Sequence, residues 1–172
     1  MSEKAKIYEE APISFAEKLA GSESFKAMFR EGMNLVEEAA AYLDGKGREE
    51  AKALPRMTAL AYAAESMRLT TRLMQLASWL LLQRAVNEGE ITQDQAAEEK
   101  YKVRLVEQDV ASQREMLSQL PEQLRVLVER SVRLQSRILH FDGLIYNQAE
   151  PQTVKAANPL EGQLELLRAA FA

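Results

Sequence analysis

No cysteine occurs in this chain, which removes disulfides, thiolate nucleophiles and thiolate metal sites together. Histidine is nearly as scarce. The single one, His140, supports neither an imidazole metal site nor a catalytic triad, and no Glu-x-x-His pair of the di-iron bundle type is present. Beside Phe141 at the end of a helical stretch, it reads as a helix-terminal residue near the dipole. Glycine and proline number only seven and five, and there is no Gly-x-Gly-x-x-Gly or other phosphate-cradling loop. The carboxylate pairs Glu37-Glu38, Glu49-Glu50 and Glu98-Glu99 are adjacent in sequence, so each points to different sides of a helix. No catalytic, cofactor or metal site is expected, and the chain reads as a non-enzyme.

Long apolar runs are also missing. The longest, Leu76 to Leu82 with Ser78 inside it, is far short of the ~20 residues a membrane span needs. Met1 to Glu10 is polar and acidic, without the basic-then-apolar layout of a signal peptide. A soluble, cytoplasmic protein with no membrane partner is the expectation. Excess positive charge is absent too: the net charge is −4, which argues against general nucleic-acid binding. Residues 1–50 hold 11 acidic and 7 basic side chains while the remainder balances, so the acidic excess is N-terminal.

What is present is helix-forming. Apolar residues make up 47% of the 172, aromatics only 6%, and Ala, Leu, Glu, Gln and Arg dominate, all residues that lose little rotamer freedom in a helix. The length suits one domain that buries a real core. The expected fold is all-α: an antiparallel three-helix bundle over residues 14–146 with a long central helix, a flexible arm at 1–13 and a flexible tail at 147–172.

Local signals place the helices. Ser14 with Glu17 makes a capping box for a short helix that Gly21 ends. Ser22 or Ser24 starts a longer one, whose apolar face reads as Phe25, Met28, Phe29, Met33, Val36, Ala40 and Leu43. Asp44-Gly45-Lys46-Gly47 stops it by turn chemistry. Pro55 suits the first turn of the next helix, unbroken to Gly89. Along it Met57, Leu60, Ala64, Met67, Thr71, Met74, Ser78, Leu81 and Ala85 follow a 3-4 heptad spacing. A second stripe, Leu69, Leu73, Leu76 and Leu80, lies on another side, as core or dimer contact. A helix apolar on two sides is expected to be covered on both, as the central helix or with one face against another subunit, and the methionines read as core filling. Thr92 with Gln95 opens a polar helix. Lys100 to Leu105 alternates with period two, which leaves helix open there. Ser112 and Pro121 mark restarts, and Leu124, Leu127, Ser131, Leu134, Ile138 and Phe141 trace a last core face.

Surfaces carry what function remains. Arg68 and Arg72, one turn apart beside Glu65, read as a partner-binding or inter-subunit polar contact, because an unpaired charge on so apolar a helix is costly. Arg130, Arg133 and Arg137 read as a solvated face. Past Asn147 the composition becomes that of a linker, with Gln148, Glu150, Pro151, Gln152, Thr153, Asn158 and Pro159. Leu160, Leu164, Leu167 and Phe171 then share one side of an amphipathic segment suited to docking on a partner.

Three stretches carry a family resemblance: Leu19-Ala20-Gly21-Ser22-Glu23-Ser24-Phe25-Lys26; Ala41-Tyr42-Leu43-Asp44-Gly45 with Gly47-Arg48-Glu49; and, most specifically, the run from Ala61-Tyr62-Ala63-Ala64-Glu65-Ser66-Met67-Arg68 through Trp79-Leu80-Leu81. These resemble the regulator of CtrA degradation (RcdA) family of alphaproteobacteria, closely over about residues 14–95 and more weakly past Gln108. The resemblance implies a three-helix bundle that dimerises and acts as an adaptor for the ClpXP protease, recruited to the cell pole. Its implied partners are ClpX, a CpdR-like response regulator as primer, substrate proteins including CtrA, and a PopA-like cyclic-di-GMP-binding protein. It also implies a functional C-terminal tail, where residues 147–172 lie. Ala169-Ala170-Phe171-Ala172 resembles the Ala-rich tags that ClpX engages. Two rival readings stand beside the adaptor. One is a helix-turn-helix transcription regulator using Gly89 to Leu105, although Gln93 to Glu99 holds three carboxylates and no base. The other is a structural coiled-coil dimer.

Overall fold

The computed structural model describes residues 15–103 and 114–146, and every described element is a helix. The expected arm and tail lie outside these residues, as does the restart at Ser112. In order the helices are α1 (Phe15–Ala20), α2 (Glu23–Asp44), α3 (Lys46–Lys52), α4 (Arg56–Asn87), α5 (Gln93–Val103), α6 (Arg114–Leu117) and α7 (Glu122–Tyr146).

Their boundaries follow local chemistry. Ser22 caps α2, its hydroxyl accepting from the Phe25 amide at 3.3 Å, which satisfies one of the orphan N–H groups of the first turn. Gly45 donates back to the Ala41 and Tyr42 carbonyls and ends α2. The helix thus stops at the expected turn, which is a single residue wide, and α3 begins at Lys46. Pro55, with φ of −56°, precedes α4, and Gly89, with φ of +76°, ends it. The Glu90 amide bonds back to the Ala85 carbonyl at 2.9 Å, a left-handed terminator that favours glycine. Thr92 and Gln95 form the expected reciprocal box: the Gln95 amide donates to Thr92 Oγ1 at 3.2 Å, and the Thr92 amide to Gln95 Oε1 at 3.0 Å. Helix α5 continues through Lys100 to Val103, so this part of the period-two stretch is helical. The alternation is overridden because Lys100 turns inward to an acid on α7 while Lys102 pairs with Glu99 on its own helix.

Three long helices, α2, α4 and α7, pack against one another. Each contributes one ring to an aromatic centre. Phe25 lies 6.4 Å from Trp79 and 6.3 Å from Phe141, and Trp79 meets Phe141 edge-on at 6.4 Å, a geometry that adds to area burial. Helix α2 runs against both neighbours, since Glu31 pairs with Arg137 and Glu38 with Arg130, and Phe25 meets Trp79 while Tyr42 lies by Tyr62. Helices α4 and α7 therefore run the same way, with Arg72 beside Ser131, Trp79 beside Asp142 and Gln83 beside Tyr146. A parallel pair needs a connection that returns the length of the bundle, and residues 88–121 make it.

The leucine stripe Leu69, Leu73, Leu76 and Leu80 is buried within this chain. So is the whole predicted face of α7. On α2 the deepest residues are Phe25, Met28, Gly32, Leu35, Ala39 and Tyr42. The predicted stripe of Phe29, Met33 and Val36 sits on its shoulder, and Ala40 is exposed. Gly32 caused the offset. It counts as nothing in an apolar pattern, yet a Cβ there would lie 2.4 Å from Leu80 Cδ1, so α2 and α4 approach closely at this point.

Candidate protein-binding face

The heptad seam of α4 does not face the core. Met57, Leu60, Met67, Met74 and Leu81 are 66, 59, 71, 66 and 52% exposed, and Ala64, Thr71 and Ser78 beside them are open as well. Within one chain this side is thus open, which corrects the expectation that its methionines fill the core. The covered side carries Tyr62, Glu65, Leu69, Arg72, Leu76, Trp79 and Gln83, a seam of the same period with larger and more polar members. The open side is a row of large apolar side chains longer than single scattered residues produce, and such patches mark contact surfaces. Methionine suits one, because its unbranched thioether repacks against different partners.

Flanking elements turn the row into a groove with shallow pockets. At one end α6 closes on it: Met57, Leu60, Ala64, Glu65, Arg68 and Met116 line a pocket of about 190 Å³. At the other, Met74, Ser78 and Leu82 face Glu99, Lys102 and Val103 of α5 across about 390 Å³. Beside the middle, Leu43, Tyr62, Ser66, Met67 and Thr70 border an open, mostly apolar cleft of about 520 Å³, with Arg48 and Lys52 at its rim. The hydroxyl oxygens of Tyr62 and Ser66 are buried without a hydrogen-bond partner.

The two arginines separate. Arg68 is half-buried at the groove's edge, its Nη1 3.1 Å from Glu65 Oε2. Arg72 is not at a surface: it is 3% exposed and donates to Ser131 Oγ at 2.9 Å across the core. Ser131 in turn donates to the Val128 carbonyl. Burial pulls the Arg72 guanidinium below its ordinary range, Glu65 opposes that shift, and Arg68 adds to it. The group remains a cation at neutral pH, held by its packing and by one buried carboxylate. The charge that sequence reading assigned to a partner thus serves the chain's own interior.

Polar contacts elsewhere tie the helices and leave this face alone. Asp142 accepts from Trp79 Nε1 at 2.7 Å and from Lys100 Nζ at 2.9 Å, and Lys100 lies 4.1 Å over the Tyr146 ring. Tyr146 donates to Gln83 Oε1 at 3.0 Å, and burial followed by the Asp142 charge pushes its pKa up to about 12. Arg130 and Arg137, read from sequence as solvated, reach across to Glu38 and Glu31. Leu160, Leu164, Leu167 and Phe171 lie outside the described residues. Among the described residues no cluster of His, Asp or Glu could hold a metal, and no helix is long and apolar enough to cross a membrane.

Comparison with known proteins agrees with this architecture. A family model described as a protein of unknown function (DUF1465) matches residues 16–171. The crystal structure of RcdA from Caulobacter crescentus CB15 is similar at 51% sequence identity, with a TM-score of 0.63, over 76% of this chain and 98% of that one. No curated protein matches. The likeness thus runs well past the three stretches that first suggested it.

Proposed function

This chain belongs to the RcdA family, and we propose that it is a non-enzymatic adaptor that delivers regulatory substrates such as CtrA to the ClpXP protease. The observation that carries the reading is the open apolar face of α4: a bundle whose core is complete within one chain still presents a row of large apolar side chains. An adaptor raises the effective concentration of cargo at a protease and needs only surfaces and reach to do so. The proposal includes a CpdR-like primer and, for some cargo, a PopA-like cyclic-di-GMP-binding protein. It also includes a cytoplasmic location, recruitment to the cell pole and a homodimeric state.

The test is degradation of CtrA by purified ClpXP with the primer protein present, with and without this chain. Faster degradation that requires both the chain and the primer supports the proposal. A rate indifferent to the chain under every priming condition overturns it. Mass in solution checks the dimer separately.

A further inference from the structure

The cleft between α3 and α4 carries chemistry that the α4 row alone does not. Leu43, Ala51, Tyr62 and Met67 give it apolar walls, Arg48 and Lys52 stand at its rim, and among the described residues no carboxylate lines it. Buried polar side chains nearly always find a hydrogen-bond partner. Three buried side-chain polar atoms among the described residues have none, and two of them, Tyr62 Oη and Ser66 Oγ, belong to this cleft. Tyr62 is 8% exposed, and its hydroxyl lies against Gly47 of α3, where an added Cβ would be 2.5 Å away. Neighbouring hydroxyls are committed elsewhere: Tyr42 donates to Glu50 at 2.8 Å, and Thr70 to the Ser66 carbonyl at 2.8 Å.

We propose that this cleft docks a polypeptide segment carrying an acidic side chain beside an apolar one. Its carboxylate accepts from Tyr62 and Ser66 and sits between Arg48 and Lys52, while the apolar neighbour packs on Leu43, Ala51 and Met67. The donor set dictates the sign. Arginine and lysine only donate, and a hydroxyl without a partner has a proton to give, so the complementary group is an acceptor, and an anion is the strongest one. Both rim cations already have acidic neighbours, Asp44 at 3.5 Å from Arg48 and Glu49 at 3.1 Å from Lys52. Those pairs are exposed, and such pairs contribute little and exchange partners cheaply. Met67, with its three rotatable bonds, is the part of the wall that gives as the carboxylate enters. A polypeptide fits better than a small free acid because Met67 and Thr71 belong both to the cleft and to the exposed row, so a segment anchored here continues along α4. The inference deepens the reading of α4 as the binding face and rests on it.

The test is an amide NMR titration of the full chain with the peptide acetyl-Leu-Glu-Leu-amide, read at Gly47, Lys52, Tyr62 and Ser66. Saturable shifts at these positions are expected with a dissociation constant in the millimolar range. Acetyl-Leu-Gln-Leu-amide should bind about fivefold more weakly, the upper scale for an exposed ion pair, and Arg48→Gln with Lys52→Gln should weaken the Glu peptide by a similar factor. Tyr62→Phe removes only the unpartnered hydroxyl, so it should weaken the Glu peptide without lowering the melting temperature. Equal affinity for the two peptides overturns the proposal, as does the absence of saturable shifts up to about 20 mM peptide. Unchanged affinity in Tyr62→Phe removes the hydroxyl from the site. Sodium acetate binding as well as the Glu peptide overturns the polypeptide in favour of any small carboxylate. Shifts at the same amides on concentrating the chain alone overturn it in favour of a second copy. No protease or cargo enters the measurement, so its failure is distinct from a failure of delivery.

Discussion

Arg72 shows how a single residue changes meaning between sequence and structure. In sequence it is half of an exposed-looking basic pair. In the fold it is a buried cation whose Nη1 depends on Ser131, while its Nε has no hydrogen-bond partner. Removing one partner of such a contact costs more than replacing the pair, because it leaves the remaining group desolvated. Ser131→Val is therefore expected to lower stability by about 1–3 kcal/mol, while Arg72→Met combined with Ser131→Val recovers much of the loss; urea unfolding of both variants checks this. Tyr146 gives a pH-dependent counterpart. Its folded pKa, pushed up to about 12, exceeds the unfolded value of about 10, so the folded state holds the phenolic proton more tightly. The stability it contributes is complete below about pH 10 and drains away as pH rises toward 12. Tyr42, also held above its ordinary value by burial and then by its bond to Glu50, adds to the same loss. Urea midpoints followed from pH 8 upward should fall through that window, and less steeply in Tyr146→Phe; parallel curves would refute the assignment.

At the scale of elements, α4 decides what the sequence could and could not tell. Its two apolar stripes are both legible, because each repeats with the period of a helix. Which one faces inward is not legible from α4 alone. The inward side includes Glu65, Arg72 and Gln83, polar residues that make it look like the surface until Ser131, Arg68 and Tyr146 are placed beside them. The outward side includes only one arginine edge and reads as the cleaner core. Capping at Ser22 and Thr92, the stop at Gly89 and the face of α7 were legible because they depend on local geometry or on a single dominant stripe. The face of α2 was displaced because Gly32, a close packing point, has no side chain to count. Two substitutions separate the stripes. Leu73→Asp puts an unpaired carboxylate into the core and is expected to unfold the chain or lower its melting temperature steeply. Met67→Lys with Met74→Lys changes two open positions and should leave stability within about 0.5 kcal/mol, yet weaken delivery of cargo. A double variant that melts normally and still delivers at full rate would remove α4 from the binding surface.

At the scale of the whole molecule, the distribution of function between body and tail becomes a matter of reach. The body supplies a rigid face, set by three packed helices and the ring cluster at their centre. Residues 147–159 have the composition of a linker. Linkers in general hold an attached binding segment at an effective concentration up to the millimolar range, enough for a weak amphipathic contact to act as a firm tether once the body is engaged. Deleting residues 148–172 should leave the melting temperature nearly unchanged, because among the described residues a core of three packed helices is already formed. It should cut the rate of substrate delivery about tenfold or more, the scale on which effective concentration acts. Binding of a partner to the body alone should not weaken. Lost delivery with unchanged body binding is the outcome that a tether predicts. Delivery at full rate by the truncated chain would show that the body does the work alone. A matched loss of body binding and delivery would show instead that the tail is simply part of one continuous contact surface.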